Sequence, residues 1–212
     1  MTDLSAFSAY STCDYSDCLP ENTCMDRGIR PMWSGGPRLV GIAYTVKCEP
    51  GDNLMVHAAI YKAPPGSVLV VDAGDQDLAV VGGNVCATAA QRGIAGFVID
   101  GVIRDIAEVR ALAFPVYARG NVPRPGIKAK LGQLETPVTC GGITVCTGDI
   151  VIADEEGIVI IPADTADAIL AMTQQSYLME QAQTRAQWQN DHYQKVTELL
   201  STLEQAAKAE LP

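Results

Sequence analysis

The 212-residue sequence is poor in histidine and in basic residues, and both shortages exclude classes of function. It has 2 histidines, and 15 Lys and Arg residues stand against 25 Asp and Glu residues, which gives a formal net charge of -10. No cluster of Lys or Arg offsets this charge, so nucleic acid is not an expected partner. The absence of a GxGxxG or GKS/GKT phosphate loop argues against nucleotide binding and against a methyltransferase cofactor site.

The sequence also lacks an apolar run long enough to cross a membrane, and it has no basic-then-apolar leader. We therefore expect a soluble cytoplasmic protein with no membrane partner. The 7 cysteines are an odd number and lack the close pairs of common zinc sites, and neither histidine is placed to complete a finger. These cysteines are predicted to be reduced and mostly buried thiols.

What the chain does contain is enough apolar sequence for a full core, with 48% hydrophobic and 19% charged residues. Strand and helix patterns alternate through its first half with short connections, which favours an α/β fold with a parallel sheet covered by helices. The predicted strands are 38–48, 67–71, 95–99 and 115–118, and the predicted helices are 52–61, 84–92 and 105–112.

The two ends of the chain have a different character. Residues 1–37 are predicted to form an arm with a short helix at 15–19, and the β runs between 138 and 161 suggest a hairpin-rich second layer. From residue 163 the pattern is helical, with an expected interruption near Asn190 and Asp191, and this tail is long enough to reach another subunit. We predict a domain at 1–162 and a helical extension at 163–212.

A guanidinium and a carboxylate stand side by side at the exit of the apolar segment 96–99. Arg104 could bind a carboxylate or an enolate oxygen, and Asp105 could hold one face of a divalent cation. Arg-Asp pairs are common, however, and Asp105 could instead cap the helix that follows, with Glu108 closing a capping box. The dipeptide alone leaves both interpretations open.

A second candidate is the Gly82-Gly83-Asn84 segment before the helix at 84–92. The backbone amides of Asn84 and Val85 have no acceptor within the helix, and such amides suit a carboxylate or a phosphate. A plain glycine-containing turn explains the same residues. Asp154-Glu155-Glu156-Gly157, which could be taken for a metal cluster, is better explained as a solvated turn between two β runs.

An ordered set of segments resembles one protein family, which contains the regulator of ribonuclease E activity and the metal-dependent 4-hydroxy-4-methyl-2-oxoglutarate aldolases. The likeness covers roughly residues 11–185 and is more specific than any single motif. It implies a swivelling β/β/α sandwich domain that assembles as trimers or dimers of trimers with active sites between subunits. Its segments are Asp52-Asn53-Leu54, Pro64-Pro65-Gly66, 68–72, Gly82-Gly83, Arg92-Gly93, 98–101, Arg104-Asp105, 139–142, Gly148-Asp149 and 153–157.

The catalytic branch of that family has a Gly, roughly twenty further residues, and then Arg-Asp-x-x-Glu/Asp. This chain supplies Gly83, Arg104, Asp105 and Glu108. The non-catalytic ribonuclease regulators typically lose the Asp, so the resemblance implies an enzyme. Many aldolases carry an Asp or Glu at the position of Gly83, where it can touch a metal-bound water, and this departure leaves decarboxylation or another keto acid as alternatives to aldol cleavage.

The resemblance also implies a role for each matching residue. Asp105 would bind Mg²⁺ or Mn²⁺ together with waters, and Arg104 would contact the keto or enolate oxygen of a small 2-oxo acid. The backbone at Gly82, Gly83, Asn84 and Val85 would hold the substrate carboxylate. A neighbouring subunit would contribute acids that match Asp17 and Glu180 here.

The expected activity is therefore that of a lyase which releases pyruvate from 4-hydroxy-2-oxo acids or decarboxylates oxaloacetate. The alternative is a non-catalytic trimeric regulator that binds a ribonuclease or another protein. The retained Arg104-Asp105 pair favours the enzyme, and Gly83 leaves room for the regulator.

Overall fold

A computed structural model describes residues 4–74 and 77–209 of the chain. The chain divides into two compact units, Met1–Thr173 and Gln174–Pro212. The boundary expected between residues 162 and 163 stays a prediction, and the outer ends of the two predicted domains, 1–3 and 210–212, lie outside the described residues.

A parallel four-stranded layer forms the centre of the first unit. Its strands follow one another in the order β2-β3-β4-β5, each pair parallel, and helices connect them. Apolar side chains occupy both faces of β3 and β4, as expected for strands covered on both sides. The elements are β2 (Leu39–Lys47), α3 (Leu54–Lys62), β3 (Ser67–Asp72), α4 (Gly83–Gln91), β4 (Gly96–Ile103), α5 (Ile106–Ala111) and β5 (Val116–Asn121).

Further strands extend this sheet at both edges. A short β1 (Arg30–Pro31) pairs with β5, and β6 (Gln133–Leu134) pairs with one end of β2. The hairpin of β9 (Ile150–Ala153) and β10 (Ile158–Ile161) joins β2 in antiparallel orientation.

The expected second β layer is therefore correct only for β7 (Val138–Cys140) and β8 (Ile143–Val145), which form a separate two-stranded sheet. Every residue of β9 and β10 is buried, so both faces of this hairpin need cover. Addition to the main sheet provides that cover, which a two-stranded hairpin on the surface would lack.

The N-terminal arm is ordered by specific contacts. It contains α1 (Leu4–Phe7), α2 (Thr12–Ser16) and a 3₁₀ turn (Glu21–Thr23). The predicted helix at 15–19 is displaced, because Ser11 and Asp14 form a reciprocal capping box that starts α2 at residue 12. Tyr15 is fully buried and its hydroxyl donates to the Phe7 carbonyl oxygen at 3.0 Å, which ties α2 to α1.

The C-terminal part is helical, as predicted. It consists of α6 (Ala166–Ala182) and α7 (Arg185–Ala209). The interruption lies at Gln183 and Thr184, so its expected place near Asn190 and Asp191 is wrong. Thr184 donates from both its backbone N–H and its hydroxyl to Gln187 Oε1, at 2.9 and 2.7 Å, and this capping arrangement starts a new helix.

The mixed α/β class, the N-terminal arm and the C-terminal helical extension are thus confirmed. Cysteine burial is only partly as expected: all seven thiols are free, but only Cys48, Cys86 and Cys140 are buried, while Cys18 is half-buried and the others are exposed. Among the described residues, no helix combines the length and apolarity that crossing a membrane requires.

Candidate active site

The candidate residues meet at the carboxyl end of β4. Val81 forms a parallel bridge with Ile103, and the Arg104 N–H donates to the Val81 carbonyl oxygen at 3.0 Å. This pairing holds the segment that starts α4 against the segment that leaves β4. Four residues predicted from separate motifs, Gly82, Gly83, Arg104 and Asp105, are brought together there.

Asp105 does not cap the helix that it precedes. It has a left-handed backbone conformation, with φ 59° and ψ 40°, and its side chain makes no capping hydrogen bond to α5. Instead, Asp105 Oδ2 accepts from the Gly83 N–H at 3.1 Å. A non-glycine residue in this conformation costs free energy, and such strain is concentrated at functional sites. The capping alternative is therefore wrong for Asp105.

Arg104 lies beside this carboxylate and is open to solvent. Its Nε is 3.5 Å from Asp105 Oδ2, and the two side chains are 41% and 34% exposed. Within residues 4–74 and 77–209, no hydrogen bond occupies the terminal nitrogens of Arg104. The guanidinium can therefore donate hydrogen bonds to an anionic or carbonyl oxygen without first breaking a buried contact.

Gly82 makes room for both side chains. A Cβ atom at this position would overlap Asp105 Oδ2 and would lie 3.0 Å from Arg104 Cγ. The φ of Gly82 is -153°, which any residue can adopt, so the requirement for glycine comes from the close approach of the two side chains and not from the backbone conformation.

The start of α4 offers two backbone donors beside this pair. The Gly83 N–H is used by Asp105, and the Cys86 N–H donates to the Gly82 carbonyl oxygen at 3.0 Å. For the N–H groups of Asn84 and Val85, no acceptor is found in the part of the chain that the structure describes. They have the geometry of an anion site at a helix N-terminus. Substrate binding by these amides stays a prediction.

Glu108 belongs to this cluster, although the sequence suggested for it only a place in a motif and a capping box. The capping box does not form, since Asp105 does not cap α5. The side chain extends instead to Gly83, where an added Cβ would overlap Glu108 Oε2. The Arg-Asp-x-x-Glu spacing could have predicted that Glu108 lies near Asp105, since it places residue 108 one helical turn after residue 105.

The two acids expected from a neighbouring subunit lie elsewhere in the chain. Asp17 is the exposed C-cap residue of α2, and its backbone N–H donates to the Cys13 carbonyl oxygen at 3.2 Å. Glu180 is exposed on α6, in the second unit. Their part in the site stays a prediction.

The donor set fits a divalent cation that keeps most of its water. Among the described residues, no group of three or more His, Cys, Asp or Glu side chains could hold a metal ion, so a fully protein-made cage is absent there. Mg²⁺ and Mn²⁺ accept a single carboxylate with waters, and Asp105 supplies a hard, partly exposed carboxylate whose Oδ1 has no hydrogen bond to the described residues.

Cys86, in the first turn of α4, is not a nucleophile candidate. Burial, followed by the nearby Asp105 charge, raises the pKa of its thiol to about 12. The thiol is therefore protonated at neutral pH.

Comparison with known proteins identifies relatives of the chain. The chain is 36% identical over 184 residues to a "Putative 4-hydroxy-4-methyl-2-oxoglutarate aldolase" of Halalkalibacterium halodurans, a match that covers 86% of this chain and 87% of that protein. An uncharacterized protein of Pseudomonas syringae has the same fold with a TM-score of 0.75 at 30% identity, and 84% of each chain is covered.

A second solved structure is an RNA-processing inhibitor, RraA, of Thermus thermophilus. It superposes with a TM-score of 0.66 at 30% identity and covers 72% of this chain and 93% of that chain. The family model described as "RraA-like: Aldolase/RraA" matches residues 12–160, a span that contains Asp17, Gly83 and the Arg104-Asp105 pair. The chain belongs to the RraA-like (Aldolase/RraA) family.

Proposed function

We propose that the chain is a divalent-metal-dependent lyase that cleaves 4-hydroxy-2-oxo acids of the 4-hydroxy-4-methyl-2-oxoglutarate type to pyruvate. Decarboxylation of oxaloacetate is proposed as a second activity of the same site. The observation that carries the proposal is Asp105, whose carboxylate is held at the start of α4 by a strained backbone instead of capping its own helix. The names of the relatives support the aldolase class.

Each residue of the cluster has a chemical task in this reaction. The amides of Asn84 and Val85 bind the C1 carboxylate, and Arg104 lies where it can stabilise negative charge on the C2 oxygen. When the C4 hydroxyl proton is removed, a C4 carbonyl forms as the C3–C4 bond breaks, and the C4 fragment leaves as a second molecule of pyruvate. The electron pair of the broken bond passes into the pyruvate enolate, which then takes a proton at C3. Loss of carbon dioxide from oxaloacetate leaves the same enolate, so one site serves both reactions.

The proposal includes a metal and a partner subunit. Mg²⁺ or Mn²⁺ bound to Asp105 would supply Lewis-acid stabilisation of the developing charge. The active form would be a homotrimer or a dimer of trimers, in which Asp17 and Glu180 of a neighbouring subunit approach the site and one of them takes the hydroxyl proton. Both acids are exposed in the single chain and are thus available for such a contact.

The test is pyruvate formation from 4-hydroxy-4-methyl-2-oxoglutarate and from oxaloacetate, with Mg²⁺ or Mn²⁺ present and again after chelation. We expect turnover that stops with the chelator and falls by about 100-fold or more in Asp105→Ala. Asp164→Ala changes an exposed acid outside the cluster and serves as the matched control. Full activity of Asp105→Ala would refute the assigned metal site.

The competing function is a non-catalytic trimeric regulator that binds a ribonuclease or another protein. The similarity to the solved RNA-processing inhibitor favours it, as does the missing acid at Gly83. Its signature would be partner inhibition that persists without metal, together with no turnover on a panel of 2-oxo acids. Retention of partner binding by Asp105→Ala would add to that case.

A further inference from the structure

We propose that an ion pair between Asp100 on β4 and Arg119 on β5 fixes the strand end that carries the Arg104-Asp105 pair. Asp100 and Arg119 are thus positioning residues, which act on the site through the backbone of β4. Their effect on the reaction rests on the proposed function, whereas their effect on the backbone does not.

The strand β4 contains one extra residue just before the site. Its register with β5 shifts between Ile99 and Val102. Asp100 and Gly101 stand there opposite a single β5 residue, Arg119. A β-bulge of this kind bends the strand and shifts the alternation of its side chains by one residue relative to the partner strand. The bulge therefore determines the direction in which β4 leads into the candidate active site.

The side chain of Asp100 holds this bulge to the neighbouring strand. Its carboxylate forms a bidentate ion pair with Arg119, from Nε to Oδ1 and from Nη2 to Oδ2, the latter at 3.2 Å. Its Oδ2 also accepts from the Gly141 N–H at 2.8 Å. The Asp100 and Arg119 side chains are 20% and 19% exposed, so water screens this pair less than it screens a surface ion pair. Three hydrogen bonds thus fix the only side chain in the bulge, since Gly101 has none.

The residues that follow the bulge hold the two halves of the site together. The Val102 carbonyl oxygen accepts from the Val80 N–H at 3.0 Å, and the Arg104 N–H donates to the Val81 carbonyl oxygen at 3.0 Å. Val81 leads directly into Gly82 and the start of α4. A change in the bulge would therefore move the end of β4 against the start of α4. Displacements of about 1 Å are enough to lower activity at such a site.

Arg119 has a second carboxylate partner, which lies outside the bulge and provides a matched control. Its Nη1 and Nη2 donate to Asp26 Oδ1 and Oδ2 at 3.0 and 2.6 Å. Asp26 belongs to the N-terminal arm, where its backbone N–H donates to the Gly141 carbonyl oxygen at 2.8 Å. The two carboxylates bind the same guanidinium, but only Asp100 lies in β4. Loss of the Asp26 charge should loosen the arm, and loss of the Asp100 charge should release the bulge.

The experiment compares Asp100→Asn with Asp26→Asn in the full-length chain, because each variant keeps the shape of the side chain and removes one carboxylate. Mn²⁺ affinity, measured by electron paramagnetic resonance without substrate, should weaken by about tenfold in Asp100→Asn and stay unchanged in Asp26→Asn. Amide hydrogen exchange of residues 102–106, followed by mass spectrometry, should become about tenfold faster in Asp100→Asn alone.

Arg119→Gln separates a change of position from a simple change of charge. Loss of a positive charge by itself would strengthen the binding of a cation. We expect Arg119→Gln to weaken Mn²⁺ binding instead, by about as much as Asp100→Asn does. The double variant should weaken it no further, because the two side chains act as a unit.

Two results would overturn the positioning role and leave the lyase proposal standing. One is an equal effect of Asp100→Asn and Asp26→Asn on the exchange of residues 102–106. The other is tighter Mn²⁺ binding in Arg119→Gln than in the unaltered protein. If the unaltered protein binds no Mn²⁺, the proposed metal site is wrong, and the exchange of residues 102–106 alone decides whether the ion pair fixes the strand end.

Discussion

At the residue scale, the site depends on where one carboxylate points. Asp105 occupies the N-cap position of α5, where Asp commonly accepts a hydrogen bond from the helix. The left-handed backbone turns its side chain toward Gly83 instead. The local sequence left a cap possible. The pairing of Val81 with Ile103 instead brings the Gly83 N–H to Asp105 as its donor.

Gly82 lies too close to Asp105 and Arg104 to carry a side chain, and this makes the site sensitive to substitution at position 82. Gly82→Ala places a methyl group against Asp105 Oδ2 and close to Arg104, so both side chains must move. We expect pyruvate formation to fall by about tenfold or more, since active sites tolerate displacements of only fractions of an ångström. Steady-state kinetics at saturating Mg²⁺ checks this.

Gly126→Ala is the matched control for that change. Its new Cβ would come no closer than 3.3 Å to any atom, and Gly126 does not have a positive φ. Activity close to that of the unaltered protein is expected. Equal losses in the two variants would mean that general destabilisation, and not displacement of Asp105, explains the effect.

Asp52 shows a carboxylate with a structural task. It is 1% exposed, and its oxygens accept from the backbone N–H groups of Leu54, Ala129 and Lys130 at 2.8, 2.6 and 2.9 Å. Burial opposes ionisation of Asp52, but these donors together with the Lys130 charge outweigh it and hold its pKa below the ordinary value. The ionised side chain joins the start of α3 to the segment before β6.

A pH-dependent stability follows from this lowered pKa. The contribution of Asp52 is present above its unfolded pKa, near 3.9, and is lost as the pH falls through the lower folded value. Asp52→Asn should therefore reduce the free energy of unfolding by about 1–2 kcal/mol at pH 7 and by less near pH 3. Urea denaturation at both values measures this. An equal difference at the two values, or the same loss in the exposed Asp164→Asn, would contradict it.

At the element scale, the alternating strands and helices from β2 to β5 could be predicted from the sequence, because each of them has a clear hydrophobic periodicity. The remaining errors have local causes. The Thr184–Gln187 cap interrupts the C-terminal helix at a place where the apolar pattern gives no sign. The strands β9 and β10 are buried on both faces and join the main sheet. Their place in that sheet depends on the pairing of β9 with β2, which is distant in sequence.

The turn between β9 and β10 is more than the solvated turn that the sequence suggested. Asp154 accepts from the Thr12 N–H at 2.9 Å and from the Thr12 hydroxyl at 2.6 Å, across 142 residues of sequence. This pair fastens α2 to the sheet. It therefore also fixes the arm that presents Asp17 to solvent.

Removing this contact should loosen the arm without unfolding the core. Asp154→Ala leaves the buried Thr12 without its acceptor, and we expect backbone amides of residues 12–17 to exchange about tenfold faster. Hydrogen exchange followed by mass spectrometry resolves this segment from the sheet. Glu155→Ala, next in sequence and exposed, is the control. Unchanged exchange in the arm would show that burial of Tyr15 alone holds it.

At the scale of the whole molecule, one chain contains only part of the proposed chemistry. Within one chain, the site brings together Arg104, Asp105 and Glu108. Their proximity could be anticipated from the Arg-Asp-x-x-Glu motif that follows the β4 strand. The proposed position of Asp17 and Glu180 at the site of a neighbouring subunit could not be anticipated in this way, because it would depend on an interface between subunits. Sequence patterns within a chain report the core, and they carry little information on which surfaces meet.

An intersubunit site predicts complementation between inactive variants. Co-expressed Asp105→Ala and Glu180→Ala chains would form mixed trimers, in which about a quarter of the sites receive both intact residues, so about a quarter of the full activity should return. Arg104→Ala mixed with Asp105→Ala is the matched control, since both residues belong to the same chain's half of the site and no mixed site is intact. Recovery in the first mixture alone requires a shared site. Recovery in neither, with trimers shown by light scattering, would mean that Asp105 and Glu180 do not meet across an interface between subunits.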